Sequence, residues 1–490
     1  MSLASRRLQL LGTVCLSLAL SGCMVGPDFK APHPAVPGSY TNDAPTGARP
    51  YVSGDAVDPQ WWTSFNDPTL TQLESAAVTQ NLDLQIATQR LLEAEAEAKM
   101  QGAVLYPSLG ADASYSRSKV SQYSPNGMFG QAFPAVIQPY DLYQYGLQLQ
   151  YDLDLWGKNR RAVEAAVAKA RSSAEARRAG LLNVEAAVAS NYIQLRGTEA
   201  VLAITQKNLD SANQLVTLTT ERQQAGLTTA LDVADAKATA ASIEAQVPTL
   251  TAQRDALIGQ IGLLLGQTPS GLPADLVNAA PVPVTPPSVP VGLPSDLLTR
   301  RPDVREATED LHAATAEIGV AKAQFFPDIS LNGTASLQAM QFKDLNEWKA
   351  LTYGAGPQIT LPLFEGGQLT GQLQLRKAQQ KEAAIGYAKT VITAFTQVNT
   401  ALTNYTQEHA TLDALNNDVQ QAQIALNLAE DQYKQGLIDY LSVLNAQQAL
   451  LSAQQNQAQS QERLGTDLVT LYQALGGGWE NTYPLAADKG

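Results

Sequence analysis

Cys23 stands directly behind Leu20-Ser21-Gly22, at the end of a mostly apolar run from Leu8 to Leu20 that follows Arg6-Arg7. A basic start, an apolar stretch and small residues at its end make a secretion signal that is not part of the fold. Small residues ahead of a cysteine resemble a bacterial lipobox, whose chemistry is cleavage before the cysteine and lipidation of that cysteine. Cys23 would then be the first residue of the mature chain, and Met24 in place of an aspartate implies sorting to the outer membrane. Cys15 leaves with the signal, so disulfides and cysteine-based metal sites are excluded. His33, His312 and His409 are the only histidines; they are scattered, and none has the spacing of a metal motif. No Gly-x-x-x-x-Gly-Lys-Ser/Thr loop is present, so any energy must come from elsewhere. No catalytic, cofactor-binding or metal-binding set is expected.

Charged residues gather at two other places. Asp431 and Asp439 flank Gly436-Leu437, and Asp232 and Asp235 follow Gly226-Leu227. In a symmetric assembly an inward-facing aspartate becomes a ring of negative charge able to select cations, while the same residues also suit solvated helix ends. Arg300-Arg301 precedes a helix and is expected to make structural ion pairs rather than an anion site.

The elements that position these residues come in two copies. Gly226-Leu227, Leu231, Val233 and Ala236 reappear as Gly436-Leu437, Leu441, Val443 and Ala446, each displaced by 210. Tyr106-Pro107 returns as Phe326-Pro327 with a displacement of 220, and Tyr145-Gly146 as Tyr353-Gly354 with one of 208. A unit of roughly 200 residues duplicated in tandem accounts for this, with loops of unequal length causing the drift.

Each copy carries two stretches of period-two alternation, over about 108–116 and 144–155, then 328–338 and 353–363. In the second stretch, Tyr145, Leu147, Leu149 and Tyr151 oppose Gly146, Gln148, Gln150 and Asp152. Pro357 lacks a backbone donor and should occupy a strand position that needs none. Four strands of about ten residues, apolar on one side, fit an outer-membrane barrel with a wet interior, and equally a soluble sheet with one buried face. A closed barrel needs about eight strands or more, so one chain could not close it.

Long helices lie between the strand pairs. Val167, Ala174, Leu181, Val188, Leu195, Leu202, Leu209 and Val216 recur every seven residues, matched by Ala384, Val391, Val398, Tyr405, Leu412, Val419, Leu426 and Tyr433. A sustained heptad means helices packed as coiled coils. From Gly157 to Gln224 such a helix runs about 100 Å at 1.5 Å per residue. Gly226 and Gly436 can take the left-handed conformation that ends a helix. Returning helices follow over Thr228–Leu265, kinked or broken near Pro248, and over Asp439–Leu475. Shorter helices over Thr69–Ala103 and Ser295–Ala323 lead into the first strand of each copy.

Composition narrows the function classes. Loss of Arg6 and Arg7 leaves 31 basic against 46 acidic side chains, a formal charge of −15. A nucleic-acid partner is not expected, because phosphate binding requires clustered cations. The apolar share is rich in alanine and aromatics are 6%, which suits closely packed helices better than one large globular core. No apolar stretch of about 18 residues follows the signal, so any membrane span must be a barrel.

Cys23-Met24-Val25-Gly26-Pro27-Asp28-Phe29, Trp61-Trp62, Leu293-Pro294-Ser295-Asp296-Leu297-Leu298, Arg300-Arg301-Pro302-Asp303-Val304 and Phe325-Phe326-Pro327 together resemble the TolC-like outer-membrane efflux factors, in the lipoprotein branch that serves resistance-nodulation-division (RND) pumps. The resemblance spans nearly the whole chain. It implies an α+β membrane protein: a homotrimer whose chains give four strands each to a twelve-stranded β-barrel, continuous with a helical coiled-coil tunnel through the periplasm. It implies a periplasmic adaptor and an inner-membrane RND transporter as partners, outer-membrane lipid around the barrel, and export of small molecules without catalysis. Gly226, Leu227, Gly436 and Leu437 become the adaptor contacts at the periplasmic tip, and Asp431 and Asp439 candidate gate acids where opening would splay the helices. The expected organisation is a signal at 1–22, a lipid-anchored wrapping segment at 23–66, repeats at 67–267 and 295–475 joined by a Pro-rich strap at 268–294, and a tail at 476–490. A type I secretion conduit shares this fold, and a structural periplasm-spanning lipoprotein would need the helices without the strands.

Overall fold

The computed structural model describes residues 24–35, 40, 52–53, 55, 57–121, 123–124, 138–268, 271–272, 276, 278–292 and 294–479. The chain forms two compact units, one of Met1–Pro32, Leu92–Arg171 and Thr308–Gly386, the other of His33–Leu91, Ser172–Ala307 and Tyr387–Gly490.

The first unit holds one antiparallel sheet of β1 Ser108–Ser118, β2 Tyr140–Asp152, β3 Asp328–Ala339 and β4 Leu351–Thr360, paired in that order. Its register aligns like with like across all four strands. Leu109, Leu149, Gly333 and Ala355 form one row and Ala111, Leu147, Ala335 and Tyr353 the next but one, while Gly110, Gln148, Thr334 and Gly354 form the polar row between them. Side chains two apart share a face, so the rows sort into one apolar and one polar face. Leu109, Leu147, Tyr353 and Ile359 of the apolar face are exposed. Pro357 lies in β4, at the edge of the sheet, opposite Leu331, where a missing donor is tolerated. β2 starts four residues before the alternation suggests, because Tyr143 and Leu142 find partners in Tyr115 and Ser116. It also ends early: Asp154 turns from the ladder to accept the Arg160 amide at 2.8 Å and the Arg160 side chain at 3.3 Å, capping the helix that follows.

That helix, α3 Lys158–Gln224, and its counterpart α7 Gln368–Lys434 are 67 residues each. Ahead of them in the chain are α1 Pro68–Gln80 and α2 Leu82–Ala103. Between and after them come α4 Ala230–Glu244, α5 Gln246–Leu264, α6 Pro302–Ala323 and α8 Tyr440–Leu475. In the second unit the heptad positions Leu181, Val188, Leu195, Val391, Val398 and Tyr405 are buried, as a coiled-coil seam requires. The main core adds Trp61, Trp62 and Phe65 from a short 3-10 turn, with Trp61 stacked on Tyr472 at 5.2 Å.

Helix interruptions have local causes. The returning helix of the first copy breaks at Ala245, where Pro248 in the first turn of α5 has no amide to give to the end of α4. The stretch Thr69–Ala103 is two helices, because Asn81 leaves helical geometry (φ −60°, ψ 126°). Its Oδ1 accepts the Leu84 amide at 2.9 Å, and its Nδ2 donates to the Leu264 carbonyl at 2.8 Å. The stretch Ser295–Ala323 is likewise divided, at Arg301, where the following Pro302 forces an extended ψ of 121°.

Within the described part of the Pro-rich run, Leu276, Val289 and Val291 are buried in the main core, and Val289–Pro290 pairs in parallel with Val52–Ser53. The fully buried Arg196 pairs with Glu199 of the same helix at 2.8 Å and donates to the Asn278 carbonyl at 2.7 Å, so its charge is met by α3 and by the strap. After α8, Gly476–Trp479 is seated rather than trailing. The guanidinium groups of Arg178 and Arg305 lie 5.2 and 5.1 Å from the centroid of the Trp479 ring, and the Trp479 Nε1 donates to the Arg300 carbonyl at 3.1 Å. Both arginines pair with the Glu175 carboxylate.

Candidate functional site at the helix turns

Both long helices end in the same backbone device. Gly226 has φ +72°, its amide donates to the Gln223 carbonyl at 2.9 Å, and the Leu227 amide donates to the Arg222 carbonyl at 2.8 Å. Gly436 has φ +75°, with matching bonds from Gly436 to Tyr433 and from Leu437 to Gln432, both 2.9 Å. This pairing is a Schellman cap, in which the left-handed residue favours glycine. Because only the backbone of the next residue is used, the leucine side chains stay outside: Leu227 is 67% and Leu437 69% exposed. Leu231 and Leu441, one turn on, are also exposed, which places four exposed leucines at equivalent positions of the two turns.

The returning helices start with side-chain caps. Thr229 and Asp232 form a reciprocal capping box, each side chain accepting the other's backbone amide. At α8 the Asp439 Oδ1 accepts the Ser442 amide at 3.0 Å and the Ser442 hydroxyl at 2.6 Å. The Thr-x-x-Asp spacing was visible in the sequence and is the signal that assigns Asp232 a cap. Asp431 pairs only loosely with Lys434, at 3.8 Å on the exposed side of α7.

A tie between the turns has no motif of its own. The Arg222 guanidinium sits 4.6 Å over the Tyr433 ring, and its Nη1 donates to the Tyr433 carbonyl at 3.2 Å and the Lys434 carbonyl at 3.4 Å. A cation at the last carbonyls of α7 meets the negative end of that helix. Beneath it Leu215, Ala236, Leu426, Tyr433, Tyr440 and Val443 share one core.

The hydroxyl and amide of Ser442 hold the Asp439 carboxyl below its usual range. A folded-state pKa that is lowered adds stability above the unfolded pKa, and that stability is lost as pH falls through the folded value. Protection of the Ser442 amide from hydrogen exchange, corrected for intrinsic rate, is therefore expected to hold at neutral pH and to fall below about pH 4. Asp439→Asn keeps an acceptor without the titration and should flatten that dependence; equal pH profiles for the two proteins would remove Asp439 as its origin.

Cys23 lies outside the described residues. His312 belongs to the first unit and meets Glu164 at 3.0 Å. His409 belongs to the second, edge-on to Tyr405 at 4.8 Å, with burial holding its imidazole below the usual range. Among the described residues no group of three or more His, Cys, Asp or Glu could hold a metal ion.

A four-stranded sheet with an exposed apolar face and two helices of 67 residues are the elements expected of an outer-membrane conduit. The outer membrane efflux protein family model matches residues 73–267 and again 293–477. The chain is 33% identical to the antibiotic efflux pump outer membrane protein ArpC of Pseudomonas putida, covering 96% of each protein. It is also 33% identical to the toluene efflux pump outer membrane protein TtgC of Pseudomonas putida, again over 96% of each. Among solved structures, the outer-membrane channel OprN superimposes with a TM-score of 0.86 at 31% identity, over 94% of this chain and 100% of the other. The chain belongs to the outer membrane efflux protein family, and it is a transport conduit rather than an enzyme.

Proposed function

We propose that three copies of this chain close a twelve-stranded barrel in the outer membrane, anchored through lipid on Cys23. The barrel continues into a helical tunnel that receives small organic molecules from an RND transporter through a periplasmic adaptor. The observation that carries the reading is the sheet: β1 and β4 are its edges within one chain, and its apolar face is exposed. Open edges are not tolerated in lipid, and four strands are too few to close. Exposed aromatic and aliphatic side chains sit beyond both ends of the strands, with Tyr106, Leu363 and Phe364 (91% exposed) on the helix side. Phe342 and Trp348 (84% exposed) lie on the opposite side, between β3 and β4. Girdles of this kind border the apolar band of outer-membrane barrels.

The two separate family matches support a tandem repeat joined by the Pro-rich strap at 268–294. The antibiotic and toluene named for the relatives support small-molecule cargo over a secreted polypeptide. Leu227 and Leu437 serve as adaptor contacts. Asp431 is the stronger of the two gate candidates, because Asp439 is already committed to a cap. The test is the mass of the detergent-extracted complex, the lipid mass on Cys23, and conductance in planar bilayers. A lipidated trimer with steady single-channel conductance is expected; an unlipidated, non-conducting monomer would overturn the proposal.

A further inference from the structure

The segment Met24–Phe29 is held by the fold more closely than a tether needs to be. The Val25 amide donates to the Trp156 carbonyl at 3.0 Å. Gly157, at φ +79°, lies so close to Met24 that a Cβ there would stand 2.7 Å from the Met24 Cγ. Gly26, at φ +108°, is pressed against α6: a Cβ on it would meet the Gly319 Cα at 2.5 Å. Gly319 is just as constrained from its other side, since its own Cβ would stand 2.8 Å from the Arg161 Cγ. Three glycines therefore let three backbones and an arginine stem converge where any side chain would intrude.

Polar contacts close the arrangement. Asp28 pairs with Arg161, which also holds Glu164 at 2.7 Å. Glu164 meets His312 at 3.0 Å, and His312 stacks on Phe29 with ring centroids 4.3 Å apart and planes within 12°. The circuit starts and ends on neighbouring residues of the segment, with the buried Arg161 and the half-buried His312 supplied by α3 and α6. A buried guanidinium needs its partners, so Asp28 completes a site that α3 and α6 leave incomplete.

We infer that α3 and α6 form a seat for Met24–Phe29, with Gly26, Gly319 and Arg161 as positioning residues, and that the seat fixes where the lipid anchor leaves the protein. The inference rests on the reading of Cys23 as lipidated. Whatever is attached to residue 23 departs one peptide unit from Met24, whose neighbour Val25 is tied to Trp156. The Trp156 Nε1 in turn donates to the Pro327 carbonyl at 2.9 Å, and its ring stacks on Phe326 at 4.8 Å. Trp156 and Phe326 lie just past β2 and just before β3, the level at which an aromatic side chain marks a lipid boundary. A seated anchor thus holds its acyl chains at the depth of the strand–helix junction.

Hydrogen exchange of the peptide covering 24–29, in the full-length detergent-extracted complex, tests the seat. The Val25 amide should exchange at least about tenfold more slowly than its unstructured rate. It should stay slow in Cys23→Ala, because polypeptide contacts and not the lipid hold the segment. It should lose its protection in Gly319→Leu but not in Gly102→Leu, which adds the same bulk where no atom lies within 4 Å. Asp28→Ala is a milder second variant, expected to lose part of the protection while the amides of α3 and α6 stay unchanged. An unprotected Val25 in the unaltered protein, protection that vanishes in Cys23→Ala, or protection that survives Gly319→Leu would each overturn the seat. Intact mass reports lipidation independently, so failure of the lipid reading is distinguishable from failure of the seat.

Discussion

Replacing both Leu227 and Leu437 with aspartate is expected to abolish efflux, returning cells to the sensitivity of a strain without the channel, while leaving assembly and single-channel conductance unchanged. Two observations separate the effects. The Schellman caps use the backbone amides of these residues, at 2.8 and 2.9 Å from their acceptors, and aspartate supplies the same amide. Both side chains are exposed and lie outside the core beneath the turns, so the folded chain should change by no more than about 0.5 kcal/mol per site. At a docking surface the balance reverses. Burying a leucine contributes about 1.5–3 kcal/mol, and an aspartate in its place brings a charge that must be desolvated. With two sites per chain the expected loss exceeds a hundredfold in adaptor affinity. Drug susceptibility together with native mass checks both halves of the prediction. Persistent efflux would move the contact away from the turns, and loss of assembly would show that the leucines act in folding.

The features legible in the sequence were those fixed by local stereochemistry or by a long period. Gly226 and Gly436 ended helices because few other residues accept a positive φ, and the heptad announced the buried seam. The strands were legible through their alternation, yet their ends were not. Whether Asp154 continues β2 or caps α3 depends on Arg160 reaching back to it, and alternation carries no record of that. Asn81 was invisible for a similar reason: an asparagine within a helical pattern acquires its role from the Leu264 carbonyl, 183 residues away in the chain. The start of the tail, Gly476–Trp479, showed only three glycines and a tryptophan, and its seat is made by Arg178 and Arg305, which no spacing relates to it. Arg222 over Tyr433 belongs to the same group. The candidate site was thus half legible: the turns and their leucines could be placed, but the tie that holds the two turns side by side could not.

Arg301→Ala is expected to have the largest effect on stability of any single change considered, because this side chain joins three elements at once. Its Nε and Nη2 hold both oxygens of Asp303, at 3.0 and 2.7 Å. Its Nη1 donates to the Ala474 carbonyl at 2.7 Å, and its Nη2 also reaches Gln397 at 2.7 Å. Truncation leaves the last turn of α8 without a donor and Asp303 without its partner. Breaking a fully buried pair costs about 3–5 kcal/mol, and the partial exposure of Asp303 lowers the expectation to about 2–4 kcal/mol. Lysine should recover less than half of this, since a point charge cannot serve the fork and the carbonyl together. The first copy provides an internal control. Asn81 donates to Leu264 as Arg301 donates to Ala474; the donors are displaced by 220 and the acceptors by 210, the two offsets already present in the sequence. A contact from the break in a short helical stretch to the end of a returning helix thus occurs twice, made by different side chains. Asn81→Ala forfeits one neutral hydrogen bond and a helix cap and should cost only about 1–2 kcal/mol. Denaturant midpoints of the helical signal for the three variants give the ranking, with Arg301→Ala below Arg301→Lys and both below Asn81→Ala. A midpoint for Arg301→Ala equal to that of Asn81→Ala would mean that the Asp303 fork adds nothing, and that capping the returning helix is all this arginine does.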